Sequence, residues 1–261
     1  MSGANKYDPE YILARRVLLY ALQALGNNRK AMVLVGAQAI YLWIGESDLA
    51  VAPCTTDADL AIDPSRLEDN PDLPKALRNA GFELTIKPGT WTMKANKVQV
   101  DFLVPSSLSG PGRRGARLGI HGDELARKSK GLEATIVDNS LLRVSSLEDS
   151  DSRSFEVRVA GLPALLVAKL HKIAERKSDS NRLQDKDTLD VLRILRATET
   201  KFLAMELQKL TAHSISADVT KEACSFLQEL FSNRKAIGPQ MAARGTSPSR
   251  MQTPLFSTMF F

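Results

Sequence analysis

Apolar residues recur at helical spacing through PEYILARRVLLYALQAL (9–25), and Gly26-Asn27-Asn28 ends the run. Pro9 suits a first turn, where the N–H it lacks would have no helical partner. Next, AMVLV (31–35) is a short continuous apolar run of the kind a buried strand carries. Gly36 follows, and AQAIYLWIG (37–45) reads as a helix, so strand, glycine and helix succeed one another without a break. TTDADLAID (55–63) alternates with period two until Pro64 stops it. Residues 72–80 read as a helix closed by Gly81; FELTI (82–86) reads as a strand, and WTMKA (91–95) with KVQVDFLV (97–104) as a hairpin ended by Pro105. Residues 105–131, rich in Ser, Gly and Arg, predict a loop or a mobile basic flap, and RSFEVRV (153–159) predicts one more strand. From Gly161 the period changes, and 162–178, 185–197, 199–211 and 217–233 all read as helices.

The pattern is that of an α+β chain: a mixed-sheet domain with flanking helices over 1–160, then a C-terminal helical domain over 161–237. Residues 238–261, of low complexity in Ser, Thr, Pro, Met and Arg, predict a disordered tail whose Phe256, Met259, Phe260 and Phe261 would dock elsewhere. Composition adds little: 43% hydrophobic and 25% charged residues suit a globular protein. No apolar run approaches the roughly 20 residues that span a bilayer, and the first residues lack the pattern of a secretory signal. No membrane partner is expected, and the expected compartment is the cytoplasm. Cys54 and Cys224, and likewise His121, His171 and His213, are too scattered to suggest a zinc site. A net charge of +5 and a pI near 9.2 favour a polyanionic partner or a phosphate-rich substrate.

The candidate chemistry lies in the aspartates. In a strand, residues i and i+2 share a face and stand about 6.6 Å apart, so Asp57 and Asp59 project together while Ala58, Leu60 and Ile62 pack opposite. Two adjacent carboxylates repel unless a cation lies between them, and hard divalent cations take such oxygens. Asp101 interrupts an otherwise apolar strand, Val98–Leu103, where a lone carboxylate is costly to bury. A neighbouring strand that brought Asp101 to the pair would give three acids for two metals. Gly36 permits a tight turn and the approach of a triphosphate to the helix amides. On the later helix Lys169, Lys172 and Arg176 share one face, and Leu166, Leu170 and Ile173 another. The basic segment Arg113-Arg114-Gly115-Ala116-Arg117, with Arg127, Lys128 and Lys130 beyond it, is either a solvated loop or a grip for phosphate.

In order, VLVGAQAIYLW, TTDADLAID and KVQVDFLVP resemble the nucleotidyltransferase superfamily with a palm of the DNA polymerase beta type. The segment LPALLVAKLHKIAERKSDSNRLQDKDTLDVLRIL is similar to the second half of AbiEii-like and MenT-like nucleotidyltransferase toxins. The resemblance implies a small mixed-sheet palm with flanking helices and a helical C-terminal domain. It also implies metal-dependent transfer of a nucleotidyl group from a nucleoside triphosphate to a hydroxyl acceptor. Asp57, Asp59 and Asp101 would be the metal ligands for Mg2+ or Mn2+ and catalytic, with Lys169 and Asp187. Gly36, Ala37, Gln38, Lys169, Lys172 and Asp190 would bind the nucleotide, and Arg113, Arg114 and Arg117 would contact RNA or phosphate. Toxin relatives imply a tRNA 3′ end or another RNA as acceptor and a cognate antitoxin as partner. One departure is Gly36-Ala37 where the superfamily has Gly-Ser or Gly-Gly, which removes a phosphate-binding hydroxyl that Gln38 would have to replace. Two alternatives therefore stay open: a non-catalytic binding or regulatory protein on the same fold, and an enzyme acting on a small acceptor.

Overall fold

The structure, a computed structural model, describes residues 7–45, 55–112, 114–177 and 185–245. Asp8 caps the first helix, α1 (Pro9–Ala24), its carboxylate accepting the N–H groups of Glu10 and Tyr11. Ala14, Val17, Leu18, Ala21 and Leu22 are fully buried along α1, which packs on the central strands. The first strand, β1 (Met32–Val35), is buried at every position. At Gly36 the chain turns directly into α2 (Gly36–Ile44), which Trp43 ties down by donating its ring N–H to the Ala160 carbonyl at 2.7 Å.

Six further elements complete the first half of the sheet: β2 (Asp57–Ile62), α3 (Leu73–Asn79), β3 (Phe82–Leu84), β4 (Thr90–Met93), β5 (Gln99–Pro105) and β6 (Arg127–Ser129). After α4 (Glu133–Val137), β7 (Asn139–Ser145) and β8 (Ser154–Ala160) form an antiparallel pair. All eight strands make one mixed sheet in the order β3-β4-β5-β2-β1-β8-β7, with β6 also on β5. β2 runs antiparallel to β1 and parallel to β5, while β1 runs parallel to β8. β4 covers the edge of β5 from Gln99 to Asp101, and β6 takes over from Leu103 to Pro105.

Five helices follow: α5 (Leu162–Arg176), α6 (Asp185–Ala197), α7 (Thr200–Ala212), α8 (Ala217–Phe231) and α9 (Ile237–Gly245). Both α5 and α6 pack on α2. Ala164, Leu165, Leu166, Val167, Leu170 and Ile173 of α5 belong to the same buried cluster as the strand residues. Among the described residues no helix is long and apolar enough to cross a membrane.

Two expectations need correction. Residues 105–131 are not a free flap: they return to the sheet as β6, and Gly115 bridges Arg127. Arg127, Lys128 and Ser129 carry no apolar side chain, so backbone pairing and polar side-chain contacts, not apolar burial, place them there. The low-complexity tail predicted from residue 238 begins instead as α9, which buries Met241 and Ala242 and packs on α6 and α8. The rest of that tail from 246, with its phenylalanines, lies outside the described residues, as do Cys54 and Arg113.

Candidate active site

The register puts Asp59 beside Asp101 on parallel neighbours β2 and β5, and Asp57 beside Gln99. Side chains alternate between faces, so Asp57, Asp59 and Asp101 stand on one face while Ala58, Leu60, Val100 and Phe102 are buried on the other. Thr55 donates its hydroxyl to Asp57 Oδ1 at 2.8 Å. Asp59 is half-buried. Its burial, together with the charges of Asp57 and Asp101, pushes its carboxyl up to about 6, against the pull of Lys172 and Lys169.

Gly36 has φ +72, a left-handed conformation that disfavours other residues, and a Cβ there would run into Asp59 Oδ2. The backbone of the turn therefore lies against the Asp59 carboxylate, and no side chain caps the first turn of α2. Ala37 is half-buried at that turn. Gln38 is not placed to replace a missing phosphate-binding hydroxyl. It is 1% exposed, its Nε2 donates to the Asp57 carbonyl at 3.0 Å, and its Oε1 accepts Arg15 Nε at 2.9 Å. Arg15, buried on α1, also donates to Tyr11 Oη and to the Ser145 carbonyl. This relay braces the strand that carries Asp57 and Asp59. Sequence reasoning missed it, although an arginine on the apolar side of α1, four residues after Tyr11, is a visible irregularity.

On the helical side Lys169 is 6% exposed, and its Nζ contacts Asp187 Oδ1 at 3.0 Å and Asp190 Oδ2 at 2.8 Å. Burial works against the charge on this lysine, but Asp190 and Asp187 overcome it and hold the ammonium well above its ordinary range. Burial likewise opposes ionisation of Asp187, yet Lys169, Lys172 and Arg176 keep it well below the usual carboxylate range. Arg176 meets Asp187 at 2.8 Å, and Arg193 joins Asp190 at 3.0 Å and the Tyr41 hydroxyl at 3.3 Å. Lys169 is thus spent on two internal carboxylates rather than extended toward a substrate. Lys172 differs: its side chain is 36% exposed, it lies 3.4 Å from Asp187, and it acts electrostatically on Asp59.

The fate of Asp101 was not legible in the sequence. Arg127, at the start of β6, donates NH2 to Asp101 Oδ2 at 2.7 Å. The other carboxylate oxygen, Oδ1, and the other guanidinium nitrogen, NH1, are buried without a hydrogen-bond partner. Arg114 and Arg117 are exposed, and the Arg114 carbonyl accepts the Lys128 N–H at 2.9 Å, which lays this basic segment along β6.

Asp57 and Asp59 offer hard oxygen donors on one strand face, and two such carboxylates repel each other unless a cation lies between them. That donor set fits a magnesium-like ion, which ordinarily uses one or two carboxylates and completes its shell with water and phosphate oxygens. Among the described residues no three His, Cys, Asp or Glu side chains are grouped as a ready-made metal cage. The three acids therefore share a face without closing around one point.

No protein-family model matches the chain, and no curated protein sequence matches it. Among solved structures, the chain is similar to an antigenic nucleotidyltransferase-like protein from Paracoccidioides brasiliensis. The two share 16% identity at a TM-score of 0.41, over 88% of this chain and 100% of that one.

Proposed function

We propose that this chain binds a nucleoside triphosphate together with Mg2+ or Mn2+ and transfers its nucleotidyl group to a hydroxyl acceptor. The observation that carries this reading is the alignment of Asp57, Asp59 and Asp101 on one face of β2 and β5, with the Gly36 turn against Asp59. Asp57 and Asp59 would hold the cation, which when bound supplies charge neutralisation for the phosphates and the departing pyrophosphate. The uncapped amides at the start of α2 and the Lys172 ammonium bind phosphate oxygens. Gln38 and Arg15 hold the Asp57 strand in place. Asp101, the third acid on this face, takes the proton of the acceptor hydroxyl.

Exposed Arg114 and Arg117 beside β6, and the surplus of positive charge, support an RNA acceptor such as a tRNA 3′ end. The resemblance of the lysine-bearing helix to those of toxin relatives supports a toxin role and an antitoxin partner. Incubation of the purified protein with Mg2+, each labelled nucleoside triphosphate and total RNA tests the reading. Label should enter RNA and should be lost in Asp59→Asn. Transfer to a small hydroxyl compound alone would move the acceptor to that class, and no transfer to any acceptor would end the enzymatic reading. A second reading, nucleotide binding without turnover, is favoured by one observation: Ala37 leaves the turn without the phosphate-binding hydroxyl that Gly-Ser turns have, and Gln38 is committed elsewhere.

A further inference from the structure

The pairing of Arg127 with Asp101 has a consequence for how many cations the site accepts. Three acids on one face would ordinarily suit two divalent ions, with the outer acid shared between them or reserved for the second. Here the outer acid, Asp101, already has a permanent cation on Oδ2 at 2.7 Å. A guanidinium does not lose its proton in a protein, so this positive charge stays at every working pH. Its position is set by backbone pairing: β6 hydrogen-bonds to β5 at Leu103↔Arg127, two residues beyond Asp101. Gly89 reinforces the placement, since a Cβ there would run into the Arg127 backbone N–H and the Phe102 carbonyl.

We infer that Arg127 takes the place of a second metal ion, so that the site loads one divalent cation per nucleotide, held by Asp57 and Asp59. The inference rests on the reading of this site as a nucleoside triphosphate site. Asp101 is then a ligand to Arg127 rather than to metal, in keeping with the lack of a three-acid cage. Arg127 NH1 is buried beside the ion pair, so the guanidinium stands in for a second cation through its fixed charge on Asp101 rather than through a contact made by NH1.

Equilibrium dialysis of the full chain against equal concentrations of Mn2+ and a non-hydrolysable nucleoside triphosphate reads the ratio directly. Manganese and nucleotide retained above the buffer level are counted separately. The wild-type chain should retain one Mn2+ per nucleotide. Arg127→Gln should retain two, because Asp101 is released to a second ion, and Arg127→Lys should stay at one. Asp101→Asn, a test that does not depend on Arg127→Gln folding, should also stay at one, since Asp101 does not hold the single ion. Two Mn2+ per nucleotide in the wild type would overturn the inference and leave the site reading intact. A ratio of one in folded Arg127→Gln, or loss of the single Mn2+ in Asp101→Asn with nucleotide still bound, would also overturn it. Retention of neither metal nor nucleotide by the wild type would overturn both the inference and the reading beneath it.

Discussion

The Asp59 carboxyl is under electrostatic tension from its surroundings. Its carboxyl sits at about 6 in place of the ordinary 3.8 because burial and its acidic neighbours oppose its charge. A raised carboxyl binds its proton more tightly in the folded chain. Its contribution to stability is therefore present below about pH 4 and is lost as pH rises through about 6. Above that pH, in the absence of divalent metal, Asp59→Asn should stabilise the protein by on the order of 1–3 kcal/mol. Thermal melts at pH 4 and pH 8 check this: the gain should be large at pH 8 and small at pH 4, and at pH 8 added Mg2+ should raise the melting temperature of the wild type alone. The two lysines of α5 separate in the same kind of assay. Lys169→Met leaves Asp187 and Asp190 buried without their ammonium and should cost about 3–5 kcal/mol. Lys172→Met removes a partly exposed partner and should cost less than about 1 kcal/mol, while weakening triphosphate binding by about tenfold to a hundredfold. Calorimetric titration of the folded variant reads that loss.

At the scale of elements, the turn from β1 into α2 is the most constrained junction. Gly36→Ala must hold a side chain at φ +72 and push it into Asp59. It should lower stability by about 1–3 kcal/mol and remove nucleotide binding, with melting temperature and titration as the two readouts. This junction was legible because strand, glycine and helix each have a periodicity or composition of their own. The same holds for β2, whose acids two residues apart share a face, and for β5, whose single acid interrupts an apolar run. β7 was not legible: Ser140, Leu141 and Arg143 are exposed or half-exposed on an edge strand, so little alternation survives in the sequence. Nor was β6, whose place depends on the carbonyls and N–H groups of β5. The helix α9 was hidden by composition, because Gly238, Pro239 and two alanines read as a tail until α6 provides a surface for Met241 and Ala242. In the site, the acids and lysines could be named from spacing. That Asp187 and Asp190 could fix Lys169 was within reach of the spacing, but that Arg127 would claim Asp101 was not, since those two meet only after β6 has packed.

Across the whole molecule, the sheet and the C-terminal helices are joined through charge as well as apolar burial. Arg193 of α6 reaches the Tyr41 hydroxyl of α2, and the α5 core residues belong to the same buried cluster as β1, β2 and β5. The helix that offers Lys172 to the site is therefore part of the packing that holds Asp59. Scanning calorimetry should show a single unfolding transition with matching calorimetric and van't Hoff enthalpies. Two separated transitions would mean that residues 1–160 and the helices beyond them stand independently. The central claim is that Asp57 and Asp59 hold a divalent cation against a nucleoside triphosphate, and calorimetric titration of the intact chain with a non-hydrolysable triphosphate, with and without Mg2+, tests it most directly. Binding that requires Mg2+ and disappears in Asp59→Asn is the predicted result; no binding with Mg2+ present, or equal affinity without the metal or in the variant, would contradict it.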